Sequence, residues 1–596
     1  MSVLRGRFAR PHTSGLRRKP LAVCLAALLA GAGVDASERD APHQDGDFVL
    51  LVTNCNDDGE GSLRTTIAGA NSDTDIAFSQ FMGCSTITLT SGAIVIGNGA
   101  NGLPLDNLQI IGLGRNALTI DGSYLDRVFV HDAGNTASLT LSAMKITHGL
   151  TSGSGGCVLA HGNIRLSDVE ISECSAGIVT GTPSEQELLG DTSVRGGGLY
   201  AGGSATLDTS FIGDNQLYAQ TGYAYGAGIF AAGNSTLTSS TVSGNYVHAA
   251  AGAAFGGGLA VGNRASPLQA NVELTTSSVM NNGAFSDCDF CPVRGAGVWV
   301  YGNSTFAQSQ ISGNSAFSVA HYGTGGGLYF TSRYGGPPVT ATLTETDLSS
   351  NSADNSAGAI GAGGDLTFTR GTISGNSASL DGGGIALFAG NLLLADSTVT
   401  GNIAGARGGA LFLFGYGDIA TSNSTISENM AANGGAVGNT YGSLHFANST
   451  IAFNSATEHG GGMYQRYAYY LVDMQSTIVS NNTVASGAED IWPPGMTVTG
   501  ANNLVMAAPG VELPNDTLSD DPLLQPLANS GGPTLTHALA VDSPAIDMGN
   551  NNSNASFDQR GEGFVRVYGA EADIGAYELQ PDAPPDQIFA DGFEAL

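Results

Sequence analysis

Gly382-Gly383-Gly384-Ile385, Leu392-Leu393-Leu394 and Ser397-Thr398-Val399-Thr400-Gly401-Asn402 form one unit of a stretch, 381–481, that repeats about every 26 residues. The next copies open at Gly408-Gly409-Ala410-Leu411, Gly434-Gly435-Ala436-Val437 and Gly460-Gly461-Gly462-Met463, and they close at Asn429, Asn454 and Asn481. Each copy holds three short apolar or β-branched runs separated by Gly, Ser, Asn and Asp, which reads as three strands and three turns. No window carries the i, i+3, i+4, i+7 spacing of a helical repeat. One three-stranded coil cannot bury its strand edges and its apolar side chains by itself; stacked coils bury both. The expected fold is all-β, a right-handed parallel β-helix with three strands per coil.

Outward from this stretch, further openings lie at Gly155, Gly196, Gly226, Gly256, Gly295, Gly325 and Ala357. Three columns should then run down the coils. Leu199 to Met463 and Ile212 to Ile478 are aliphatic, and Asn215 to Asn481 is asparagine. Each buried aliphatic stabilises by roughly 2 kcal/mol. Asparagine tolerates a left-handed turn, and its amide can bond to copies above and below. These columns are architecture and carry no chemistry.

The whole chain divides into a leader, 1–36; an N-terminal cap with the first coils, 48–150; the array, 151–508; a closing segment, 509–580; and a linker with a tail, 581–596. The leader has six basic residues and an apolar run, Leu21 to Ala30, too short to span a bilayer, so it reads as an export signal. No later run is long enough for a membrane helix. The formal net charge is −31, and without the leader 15 basic residues face 51 acidic ones. Such a balance excludes nucleic acid and anionic membranes as partners and suits neutral glycans or cations. Six cysteines outside the leader fall into sequence-local pairs, Cys55 with Cys84, Cys157 with Cys174 and Cys288 with Cys291. In an exported chain they read as disulfide candidates, with connectivity left open. Ser62 can cap a short helix placing Leu63, Ile67 and Ala70 on one face, a lid for the first coil.

Two sets of side chains are candidates for function. From Gly155 to Ala357 successive openings lie 30 to 41 residues apart, against 25 or 26 beyond, and most of the excess falls between the asparagine and the next glycines. These insertions, read as loops leaving one edge of the rod, carry Tyr218, Tyr223, Tyr246, Phe285, Phe317, His321 and Tyr322 as candidate ligand-binding residues, with Tyr225, His248, Phe255 and Phe290 beside them. The plainer reading has the rings packing the loops against the rod. The residue before each glycine opening runs Asp381, Arg407, Asn433, His459, with Glu458 beside the last. Asp381, Arg407 and His459 are the candidate catalytic residues, although a solvated polar turn explains them as well.

The Gly-Gly-x-aliphatic opening and Ser-x-Ile-x-x-Asn close resemble the polymorphic outer-membrane-protein repeats of bacterial surface β-helices. Asp57-Asp58-Gly59, Gly61-Ser62-Leu63-Arg64 and Ile120-Asp121-Gly122 look like the leading segment of bacterial right-handed β-helix proteins. Asn529-Ser530-Gly531-Gly532-Pro533-Thr534, Ser543-Pro544-Ala545-Ile546-Asp547, Asp558-Gln559-Arg560-Gly561 and Asp573-Ile574-Gly575-Ala576-Tyr577-Glu578 look like a choice-of-anchor Q domain. The resemblance implies a secreted or surface-associated protein of a Gram-negative bacterium, monomeric, with no assigned activity. Only 16 residues follow Gln580, too few for a membrane barrel. The closing segment is expected to cap the C-terminal end. No cofactor is expected; calcium is the ion that Asp547, Asp558 and Asp573 could take, though Arg560 among them suits an ion-pair network better.

Two functions compete. One is a non-enzymatic adhesin-like rod binding extracellular glycans or a cell surface through the aromatic insertions. The other is a polysaccharide lyase or glycoside hydrolase working in a groove along the coils. A lyase needs a base beside a cation and a hydrolase needs paired carboxylates. Outside the leader Lys145 is the one lysine, and Arg195, Arg294 and Arg407 lie several coils apart. Binding is the better reading.

Overall fold

A computed structural model of the chain describes residues 49–177, 193–263, 269–333 and 335–580. The leader, the linker and the tail lie outside them. Among the described residues the strands stack as a right-handed parallel β-helix, pairing in parallel with their copies one coil away, apart from the antiparallel Gly487–Ala488 at the end of the third sheet. The first apolar run of each coil joins a 14-stranded sheet, and the second and third run together in a 29-stranded sheet. A left-handed residue such as Thr209, Asp396 or Asn423 bends the chain between those two runs. A short strand after each asparagine forms a 13-stranded third sheet.

Register follows the columns. Leu199 pairs with Ile229, Leu259 with Val298, Ile385 with Leu411, and Leu411 with Val437, all buried in one continuous core. The opening glycine is left-handed throughout, and at Gly408 (φ 64°) a Cβ would meet the Leu411 carbonyl at 2.1 Å. Ala357 takes the same conformation at φ 63°.

The asparagines form a ladder. Asn402 Nδ2 donates to Asn429 Oδ1 at 2.9 Å, and its backbone N–H donates to the same oxygen at 2.9 Å. Asn402 Nδ2 also reaches the carbonyls of Ile373 and Thr400. The left-handed turn predicted for these asparagines belongs to the residue before each, Gly401, Glu428 or Phe453. The last rung also differs from expectation. Asn454 bonds to Asn482, while Asn481 (φ 58°) is the left-handed residue. Ile451 pairs with Val479, and Ile478 pairs with Thr450 and faces outward. Ser476-Thr477-Ile478 imitates Ser449-Thr450-Ile451 in sequence but sits one residue earlier in register.

The helix Leu63–Ala68 starts at Ser62, whose side chain accepts from the Thr65 N–H, and buries Leu63 and Ile67 against the first coil. Asp57 clips this cap down. It accepts from Arg64, Thr90 and Ser91, and these bonds outweigh burial to hold its carboxyl well below the usual range.

The closing segment does less end-capping than expected. Ala508, Val511 and Leu513 pack on the last coil's core. Residues 534–576 instead return along the flank of the 29-stranded sheet. Thr398, Thr425, Thr450 and Ile478 are in register there, and the segment buries them. Thr398 donates to the Leu535 carbonyl, Thr425 to Gln559 Oε1, and the Ala576 N–H donates to Thr450 Oγ1. Ile478 packs on Leu539, Ala545 and Ile574. Its outward slip supplies the apolar anchor of this contact.

Candidate functional site

The long coils build their excess into a strand. After the third-sheet strands Gln216–Ala219, Tyr246–Ala249, Gly283–Ser286 and Ser315–Ser318, the chain folds back as Ala224–Tyr225, Ala254–Phe255, Val293–Arg294 and Gly323–Thr324. With Val194–Arg195 these strands pair in a five-stranded sheet. Ala219, Ala249, Ala284, Ala316 and Val293 fill the space between the two layers. Alanine fits because sheets in so thin a layer approach closely. In these four coils the insertions read as loops therefore contain ordered sheet, with Tyr218, Tyr246, Phe285 and Phe317 at strand positions and Tyr223, His321 and Tyr322 in the connecting turns, while 178–192 of the first insertion lie outside the described residues.

Strand alternation sorts those rings. Leu217, Val247, Ala284 and Ala316 point inward. One outward column is Tyr218, His248, Phe285 and Phe317, in register from coil to coil. Tyr218 meets His248 edge-on at 5.1 Å between ring centres, and His248 lies 5.3 Å from Phe285. The parallel outward column places Tyr246 opposite Gly283, whose missing Cβ leaves room for the Tyr246 ring. With Tyr246 45% and Phe317 42% exposed, Tyr246, Phe285 and Phe317 line an open cleft of about 440 Å³, and Tyr218 and His248 continue the column beyond it.

Polar groups close the cleft at one end. Asp354, which the sequence reading missed, accepts from the Ser318 N–H at 2.7 Å and the Gly323 N–H at 2.6 Å, one on each carboxylate oxygen. His321 Nδ1 stands 3.7 Å from it. Backbone donors engage both Asp354 oxygens, so the carboxylate orients the turn. His248 Nε2 meets Asp287 at 2.8 Å. Burial, helped by the Asp287 charge, pushes the Tyr246 phenol up. Asp354 carries no sequence signal, since its partners Ser318 and Gly323 come from the preceding coil.

The structure thus brings together Tyr218, Tyr246, Phe285, Phe317 and His321. Tyr322 stands aside against Phe290 at 6.4 Å. Tyr223 turns toward Tyr225 and Phe255 at 6.3 and 6.2 Å. Tyr225 and Phe255 are themselves buried with Phe230 and Trp299, so for them the plainer reading holds.

The column before the glycines forms a second line. Arg407 makes a two-pronged pair with Asp381 at 2.9 and 2.8 Å and lies over the Phe412 ring. Asn433 bonds to Glu458, and His459 stacks on Trp492 at 4.7 Å with Glu489 3.6 Å away. Asp381 and His459 are three coils apart, about 14 Å at the strand spacing, beyond reach for a shared proton.

In the closing segment Asp558 is paired with Arg560, and Asp573 accepts from the N–H groups of Asp547 and Leu579. Asp547 accepts from the N–H groups of Ala570 and Glu571. Among the described residues no group of three or more His, Cys, Asp or Glu is arranged to hold a metal ion. The six described cysteines are bonded as Cys55–Cys84, Cys157–Cys174 and Cys288–Cys291. No described helix is long and apolar enough to cross a membrane.

No family model matches this chain, and no curated protein matches it. Among solved structures, the crystal structure of pectate lyase Pel9A aligns at 12% identity over 90% of this chain and 97% of that one, with a TM-score of 0.28. The fold assignment rests on the strand registers, and nothing of that protein's activity is carried over.

Proposed function

We propose that this chain is an exported, secreted or surface-associated rod that binds glycans through the aromatic cleft and performs no chemistry on them. One observation carries the reading: the outward column Tyr218, His248, Phe285 and Phe317 presents one ring per coil beside Tyr246. Aromatic faces complement the C–H faces of sugar rings, and the exposed Tyr246 and Phe317 rings are costly without a partner. Ser318, His321 and Asp354 supply polar groups at the end of the cleft. The acidic surface favours neutral sugars over polyanions. The leader and the resemblance to surface β-helix repeats and a choice-of-anchor Q domain support export to the outer surface of a Gram-negative cell as a monomer. A glycan array, run beside a lyase and hydrolase screen of the purified chain lacking the leader, with and without calcium, tests this. Retention of a glycan without product release is the expected result. Product release abolished by Asp381→Ala or His459→Ala would replace this reading with an enzymatic one.

A further inference from the structure

A second cluster of rings lies where the 14-stranded sheet hands over to the 29-stranded sheet in three consecutive coils. Phe414 and Tyr416 follow the strand Leu411–Leu413, Tyr441 follows Val437–Asn439, and Tyr467, Tyr469 and Tyr470 follow Met463–Gln465. Tyr441 lies 5.4 Å from Tyr416 and 5.7 Å from Tyr467, the latter nearly parallel at 28°. Tyr467 continues to Tyr469 at 5.6 Å. The rings make a ribbon that follows the stacking direction. Its faces are open, with Tyr416 84% and Tyr469 75% exposed.

The ribbon is held from beneath. Asn439 and Gln465 are both buried, and Asn439 Nδ2 donates to Gln465 Oε1 at 2.8 Å. Asn439 also holds both ends of its own turn, donating to the Gly442 carbonyl and accepting from the Gly442 N–H. Gln465 Nε2 donates to the Tyr470 carbonyl at 3.0 Å. Two buried amides thus lock the turns carrying Tyr441 and Tyr470 to each other. The Tyr467 phenol beside it pushes the Tyr441 phenol up. Arg466 lies over the Tyr467 ring at 5.4 Å. Rings ordered before any ligand arrives lose little freedom on binding.

We infer that this tyrosine ribbon is a second carbohydrate site, taking a neutral polysaccharide laid along the coils with its sugar faces on Tyr416, Tyr441 and Tyr469. Five of the six rings carry hydroxyls, which suits a ligand that alternates C–H faces with hydroxyl groups. The net charge of −31 argues against a polyanion. The inference shares its ligand class with the proposed function but rests on different residues.

The test is affinity electrophoresis of the chain lacking the leader in native gels containing hydroxyethylcellulose, galactomannan or laminarin. Three proteins are compared with the parent: Tyr416→Ala/Tyr469→Ala, Phe285→Ala/Phe317→Ala, and the combination. Both ring pairs are exposed or half-exposed, and thermal melting checks that each variant stays folded. At least a tenfold weaker retention of one polysaccharide in Tyr416→Ala/Tyr469→Ala, with melting unchanged, is expected. If only Phe285→Ala/Phe317→Ala weakens retention, the ribbon is overturned as a site and the cleft stands. If only Tyr416→Ala/Tyr469→Ala weakens it, the ribbon stands and the cleft reading falls. Absence of retention of the parent on all three overturns the ribbon's assignment to neutral polysaccharide.

Discussion

Asp490 stands where a further asparagine would, and its Oδ1 accepts both the backbone N–H of Asn482 at 3.1 Å and its Nδ2 at 2.8 Å. The residue type follows from what lies beyond. Inside the ladder the side-chain nitrogen of each asparagine faces carbonyls, as Asn402 faces Ile373 and Thr400. At the end the corresponding atom faces the Ala507 N–H at 2.7 Å, so an oxygen is required.

This termination has a pH signature. Burial pushes the Asp490 carboxyl up from 3.8 to about 6, against the bonds from Asn482 and Ala507. For an acid whose folded value is raised, the contribution is fully present below about pH 4 and lost as pH rises through about 6, on the order of 3 kcal/mol. Asp490→Asn should therefore melt with a smaller decline between pH 4 and pH 7 than the parent. Any constant cost of placing an amide against Ala507 cancels in the difference. Parallel melting curves would refute it.

Within the ladder, Asn402→Ala removes the acceptor for the Asn376 N–H and Nδ2 and should cost about 3 kcal/mol or more. Asn402→Asp keeps that acceptor but turns an oxygen toward the Ile373 and Thr400 carbonyls. It should be no more stable than the alanine variant at neutral pH. Calorimetry of the pair decides, and an aspartate variant near the parent would mean that the side-chain nitrogen contributes little.

Gln559 is the polar hub of the flank contact, accepting from Thr425 and donating to Thr398, Thr534 and the Leu535 carbonyl. Gln559→Ala leaves the buried Thr425 hydroxyl unpaired and strips one bond each from Thr398, Thr534 and the Leu535 carbonyl. Amide exchange over 534–576 should accelerate at least tenfold, with the ladder coils unchanged. Equal acceleration in both would show that segment and coil unfold as one unit.

Arg407→Ala breaks the pair with Asp381, whose side chains remain 26% and 13% exposed. Partly screened pairs contribute little, so a loss of about 1 kcal/mol is expected, with glycan retention unaltered. Altered retention would place this column in the binding surface.

Much of this was legible in sequence because a parallel stack repeats its chemistry. The pairs Leu199 with Ile229 and Asn376 with Asn402 follow from period alone. What failed had local causes. Asn481 and Asn482 are adjacent, and only the pairing of Val479 with Ile451 decides which joins the ladder. The insertions read as loops because alanine, which fills their layer, gives no strand signal beside Gly and Ser. Thr398, Thr425 and Thr450 look like solvent-facing strand residues until the closing segment covers them. The Tyr467 to Tyr470 run is visible, but Tyr416 and Tyr441 come from other coils with no common spacing to mark them.

The cleft itself gives the most direct test. Titration of the parent and of Phe285→Ala/Phe317→Ala with the glycan the array selects measures what the outward rings contribute. The variant should bind at least tenfold more weakly, about 1.4 kcal/mol, with melting unchanged. Equal affinity in the two proteins would contradict the assignment of the aromatic column as the binding surface.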